Sequence, residues 1–90
     1  MKFYRAKYDS GSWKIGAKLS VIAWRLRSMV KQNRQGSAVE YSGQISSSEA
    51  IQRGTHIVCD DQGIMTAYAV EPLTGMSGIR QYLLKEEGVI

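Results

Sequence analysis

His56 and Cys59 are the residues from which this chain could most readily build a reactive or metal-binding site, and "HIVCD" sets them three apart. On a strand that spacing sends the two side chains to opposite faces, so they cannot share a metal without a bulge. A zinc site takes four protein ligands, or three and a water, and the chain has no second His or Cys. Between Val58 and Asp60, Cys59 reads as a small apolar strand residue, with nothing beside it in sequence to lower its pKa. A Cys–His or Ser–His pair would have to be assembled by the fold. "DDQG" at 60–63 is turn chemistry, since a calcium loop spreads oxygen ligands over about 12 residues. "LTGMSGIRQ" places two glycines and Ser77 before Arg80, and the amides of a helix start attract anions. It matches neither the phosphate-loop nor the dinucleotide fingerprint, and is read as an ordinary loop with Ser77 capping a helix. No catalytic residue, metal ligand or cofactor is therefore assigned, and the chain is read as non-enzymatic.

Binding is better supported by residue type. In "LSVIAWRLRSMVKQNRQG", Leu19 to Gly36, Ile22, Ala23, Leu26, Met29 and Val30 fall on one stripe of a 3.6-residue helix. Trp24 lies about 160° from the centre of that stripe at 100° per residue, beside Arg27 and with Lys31 two turns on. Trp and Arg are the types most enriched in binding hot spots. On nucleic acid the cations would neutralise phosphates while the indole stacks on a base. The alternative is that another layer of the fold covers Trp24. Charge is also uneven: residues 1–36 hold nine Lys/Arg against one acid, net +8, and residues 37–90 hold three against seven, net −4, giving the chain its +4. Such asymmetry steers an acidic partner, or lets the two halves attract one another. Glu86 and Glu87, at the C-terminal end of an expected helix, oppose its dipole and suit a contact with the basic half.

The elements that must position these residues follow from periodicity. "KFYRAKYD" alternates Tyr4, Ala6 and Tyr8 against Arg5 and Lys7, and "WKIGAKL" alternates Trp13, Ile15, Ala17 and Leu19 against Lys14, Gly16 and Lys18. With "SGS" as the turn this is a hairpin whose inner face pairs Tyr with Trp and whose outer face is basic. Residues 13–19 also fit a helical stripe, which leaves strand and helix both open there. A long helix runs from Ser20 to a stop at Gly36. "SAVEYSGQI" is a strand. "SSSE" at 46–49 matches a capping box with Ile45 as its staple, and starts a short helix that Gly54 ends. "HIVCD-DQ-GIMTAYAV" is a hairpin with Gly63 in the left-handed turn position and Pro72 at its end. "SGIRQYLLKEEG" is a final helix with Ile79, Tyr82 and Leu83 inward and Gly88 as cap.

These elements make one α+β domain over residues 1–90: about five mostly antiparallel strands in ββαβαββα order, with the long helix and the C-terminal helix packed on the sheet. No apolar run approaches the roughly 18–20 residues that span a bilayer, and the first ten residues show no signal-peptide core. With one cysteine no internal disulfide forms, which suits a reducing compartment. The cytoplasm is expected. The function expected is that of a stoichiometric inhibitor or adaptor, of the kind phages and mobile elements carry. It would engage an acidic host protein or nucleoprotein complex, not a membrane, through Arg5, Lys7, Lys14, Trp24, Arg27, Lys31 and Arg34. Direct DNA or RNA binding through the same surface is the alternative, and homodimerisation stays open.

Overall fold

A computed structural model of the chain describes residues 1–26, 30–31, 39–73 and 78–90. The strands are β1 (Lys2–Asp9), β2 (Ser12–Lys18), β3 (Ala23–Leu26), β4 (Val30–Lys31), β5 (Val39–Glu40), β6 (Gly43–Ser47), β7 (His56–Asp61), β8 (Ile64–Pro72) and β9 (Arg80–Val89). Seven of them form one antiparallel sheet in the order β2-β1-β7-β8-β9-β6-β3, and β4 pairs with β5 in a separate ladder. The described residues contain no helix, so none is long and apolar enough to cross a membrane. The fold is all-β, and the α+β reading is overturned.

The two ends of the sheet, β2 and β3, are consecutive in the chain. Between them the Leu19 amide donates to the Phe3 carbonyl of β1 at 2.7 Å, and the Ile22 amide donates to the Ser46 carbonyl of β6 at 2.8 Å. One bent strand thus pairs with β1 through its first half and with β6 through its second, which curls the sheet toward a barrel and shields its edges. The inner face carries Phe3, Leu19, Ile45, Ile57, Cys59, Tyr68, Val70, Tyr82 and Leu84, and Ile51 packs into the same core. Cross-strand pairs hold these layers together: Phe3 opposite Cys59, Ile57 opposite Tyr68, Val70 opposite Leu84, Ile45 opposite Tyr82. Alternation along each strand puts them on one side of the pleat.

A polar junction fixes the bend. The Glu49 carboxylate accepts the Ser20 amide at 2.6 Å and the Arg5 guanidinium at 3.4 Å. Ser47, fully buried, donates through Oγ to the Ser20 carbonyl at 2.5 Å and accepts the Glu49 amide at 3.0 Å. Tyr82 Oη donates to the Glu49 carbonyl at 2.7 Å and accepts the Ile51 amide at 2.9 Å. The expected capping box is therefore replaced. The Glu49 amide goes to Ser47 rather than to Ser46, the expected cap, the Glu49 carboxylate serves Ser20, distant in sequence, and residues 48–54 turn without forming a helix.

The other helices fail for identifiable reasons. Val21, Ile22 and Trp24 favour strands, and in a period of two Trp24 and Leu26 share one face while Ala23 and Arg25 share the other. Trp24 looked misplaced only on a helical wheel. The terminal "YLL" is buried on both faces of a central strand, which abolishes alternation and imitates a buried helix. Gly88, expected as a helix cap, adopts φ 142° and pairs with Ala67 beside a bulge. Ser77, expected as a cap, and residues 27–29 and 32–36 of the expected long helix lie outside the described residues. Both hairpins form where they were read, although the first turns its expected inner face outward. In the second, the turn takes Gln62 and Gly63 at positive φ, with Asp60 Oδ1 accepting the Gly63 amide.

Two predictions follow from the closure. A Cβ added at Gly43 would stand 2.5 Å from the Arg25 carbonyl oxygen and 3.0 Å from Leu26 Cα, so β3 must move away from β6. Gly43→Ala should lower the unfolding free energy in urea by about 1–3 kcal/mol. The Ser20 amide, followed by Arg5, holds the Glu49 carboxyl below its usual range against some opposing desolvation. A depressed folded-state pKa means its stabilisation is present above the unfolded carboxylate pKa and fades as pH falls through the folded one. Melting temperature should therefore drop on acidification more steeply in wild type than in Glu49→Gln, which starts lower at neutral pH.

Candidate binding surface

β1 pairs with β7 only as far as Ala6 opposite His56, so the tip of the β1–β2 hairpin projects past the sheet and both of its faces meet solvent. Tyr8 stands opposite Trp13, and Ala6 opposite Ile15. These residues, with Tyr4, point away from the core, because Phe3 on the alternate face is the residue that enters it. The expected assignment of faces is thus inverted: Tyr8 is 56% exposed and Ile15 42%, against 2% for Phe3. The rings form a row. Tyr8 and Trp13 meet edge to face at 5.1 Å, and Trp13 and His56 meet likewise at 5.0 Å. Such pairs contribute about 0.5–1.5 kcal/mol beyond their buried area, which orders the rings while leaving much of their surface in water. Lys18 lies opposite Tyr4, on this outward face.

Lys7 and Lys14 stand directly opposite one another on the reverse face of the tip. Like charges so placed destabilise a strand pair, and neither has an acidic partner among the described residues. They are the two expected site residues that the fold brings together. Arg5 is committed to Glu49 and to the Ala50 carbonyl at 3.2 Å. Trp24 lies on β3, 47% exposed, with its ring centroid 5.9 Å from that of Phe3. It stands opposite Ile45 of β6, so it sits on the core side of the sheet, away from Tyr8 and Trp13. On its other side β3 borders an open cleft of about 270 Å3 lined by Ala23, Trp24, Arg25, Gln44 and Ser46. Lys31 belongs to β4, and Arg27 and Arg34 lie outside the described residues. The surface the sequence pointed to is thus assembled only at Lys7 and Lys14, and the outward Tyr8, Trp13 and Ile15 were missed as surface residues. Their signal was present in the strict alternation, which shows that a face is apolar but not whether the core takes it.

His56 faces outward against Trp13, with Nε2 3.7 Å from Glu87 Oε1, whereas Cys59 faces the core. Their opposite orientation follows from the strand spacing and excludes a Cys–His pair. Among the described residues no group of three or more His, Cys, Asp or Glu is arranged to hold a metal. Burial, with Asp61 adding its charge, pushes the Cys59 thiol up to about 11. It stays protonated at neutral pH and is a poor nucleophile. Alkylation of Cys59 at neutral pH should run on the order of 100-fold more slowly in the native chain than in urea, as read by mass spectrometry.

Compared with protein-family models, with curated proteins and with solved structures, the chain finds no match in any of the three.

Proposed function

We propose that this chain is a non-enzymatic binding protein, a stoichiometric inhibitor or adaptor of the cytoplasm. It grips an acidic protein surface through the outward face of the β1–β2 hairpin. The observation that carries this reading is the ordered row Tyr8–Trp13–His56, held on a projecting hairpin with Tyr8 and Ile15 facing water. Aromatic rings ordered before binding lose little conformational freedom on contact, and Trp and Tyr dominate the centres of protein interfaces. Lys18 flanks the row on the same face, and Lys7 and Lys14 stand on the reverse face of the tip, where their charge would raise the association rate with an acidic partner more than the affinity. The Trp24 region of β3 is a second, separate exposed spot and is not needed for this contact.

The flanking lysines favour one other reading, a single nucleic-acid strand stacked on the same rings. Capture from a cell extract on immobilised wild type and on Tyr8→Ala/Ile15→Ser, with and without nuclease, decides between them. A protein held by wild type after nuclease and lost by at least about 30-fold in the variant is the expected result, this being the scale of a hot-spot loss of 2 kcal/mol. Capture abolished by nuclease, with salt-sensitive binding of labelled single-stranded oligonucleotides, would favour the strand. Equal capture by both proteins would sink the assignment of this face.

A further inference from the structure

Beyond the bend that closes the sheet, the tip of the first hairpin keeps an open edge. Among the described residues β2 pairs with β1 alone, and every residue from Ser12 to Lys18 except Trp13 is exposed. Resting on the proposed role of this hairpin in gripping an acidic protein, we infer that an extended segment of the partner pairs with the open edge of β2 as an added strand. Its apolar side chains lie on the side of Tyr8 and Trp13, and an acidic one between them lies against Lys14.

Register decides which backbone groups are on offer. The Phe3 carbonyl accepts the Leu19 amide, so the odd-numbered residues of β1 turn their backbone groups toward the chain of β2, Lys7 among them. Lys7 stands opposite Lys14, which makes this a hydrogen-bonded pair and leaves Tyr8–Trp13 and Ala6–Ile15 as non-bonded ones. The amides and carbonyls of Trp13 and Ile15 therefore point away from β1, to the open edge, while their side chains stand on the outward face. The 5.1 Å contact between the Tyr8 and Trp13 rings agrees, since side chains lie closer in a non-bonded pair. An incoming strand that bonds to Trp13 and Ile15 sets two of its side chains beside theirs, and the one between falls on the reverse face beside Lys14. Lys7 and Lys14 repel one another there and have no acidic partner among the described residues. A carboxylate next in the row neutralises them, which selects an acidic residue at the middle of the segment. The same lysines disfavour a second copy of this chain as the occupant. Self-pairing that bonds Trp13 and Ile15 of each copy would place Lys14 against Lys14, the kind of charge that keeps strand edges apart.

The test uses three end-capped synthetic peptides that alternate valine with glutamate, serine or lysine, and reads amide hydrogen exchange along the full chain. The glutamate peptide at about 1 mM should slow exchange of the Trp13 and Ile15 amides at least about 10-fold and leave the Lys14 amide, already bonded to β1, unchanged. The serine peptide should bind about 5-fold more weakly. In Lys14→Glu the glutamate peptide should lose affinity and the lysine peptide gain it. Unprotected Trp13 and Ile15 amides at about 1 mM glutamate peptide, or equal protection by all three peptides, would overturn the inference. The two proposals fail separately. Equal capture by wild type and Tyr8→Ala/Ile15→Ser removes the outward face, whatever the peptides do, and missing amide protection removes the added strand, whatever is captured.

Discussion

The structure depends on one carboxylate. Where β2 becomes β3 the chain must turn off β1 and reach β6, and at the bend the Ser20 amide has no strand to donate to. Glu49 accepts it, and with its other oxygen holds Arg5 of β1. The bond lies at the surface, so without Glu49 the Ser20 amide would turn to water, and what the carboxylate adds is the net contribution of one charge-assisted hydrogen bond. The carboxylate thus fastens the strand that closes the sheet, the strand it leaves and the 48–51 segment that packs Ile51 into the core. Ser47 and Tyr82 complete the junction by pairing the neighbouring carbonyls and amides, so that polar groups drawn into a small hydrophobic core are matched. A network of this kind is favourable only when all its members are paired.

Because that junction is built from residues far apart in sequence, it was invisible to local reasoning, and this explains which parts of the fold were legible. The two hairpins were legible because their signals are local: turn residues at fixed positions and alternation over six to nine residues. The helices were misread where one run fits both periods, Ile22, Ala23 and Leu26 a stripe of 3.6 and Ile22, Trp24 and Leu26 a period of two, and where Tyr82, Leu83 and Leu84 lie buried on both faces. Glu86 and Glu87 were the available warning. They conflict with a helix C-terminus and are unremarkable on a strand. Leu, Lys and Glu favour helices in isolation, but pairing with β8 and β6 overrides propensities of a few tenths of a kcal/mol per residue.

The candidate site was legible in composition and not in placement. Aromatic and basic residues of the first hairpin do gather on its projecting tip. Which face the core uses was decided by Phe3, because only the base of β1 enters the barrel. The register shift between Tyr4 and Ala6 then lets β2 turn Leu19 inward while Lys18 stays with Tyr4 outside. A bulge that moves one residue changes the face of all that follow, so the basic side of the hairpin is not one surface from end to end.

The position of β9 has a kinetic consequence. It follows the other described strands in sequence yet lies between β8 and β6, which makes it the keystone of the curl and places its synthesis after theirs. Until it docks, β6 and β8 present unpaired edges bearing Ile45, Tyr68 and Val70. Pairing β1 with β7 must meanwhile close a loop of some 50 residues, an entropic penalty that slows folding. The nascent barrel therefore passes through a stage with two sticky edges and no lid over them, the circumstance in which strand-rich chains associate with one another. Expression yield should then follow the rate at which β9 is delivered more closely than the final stability of the barrel.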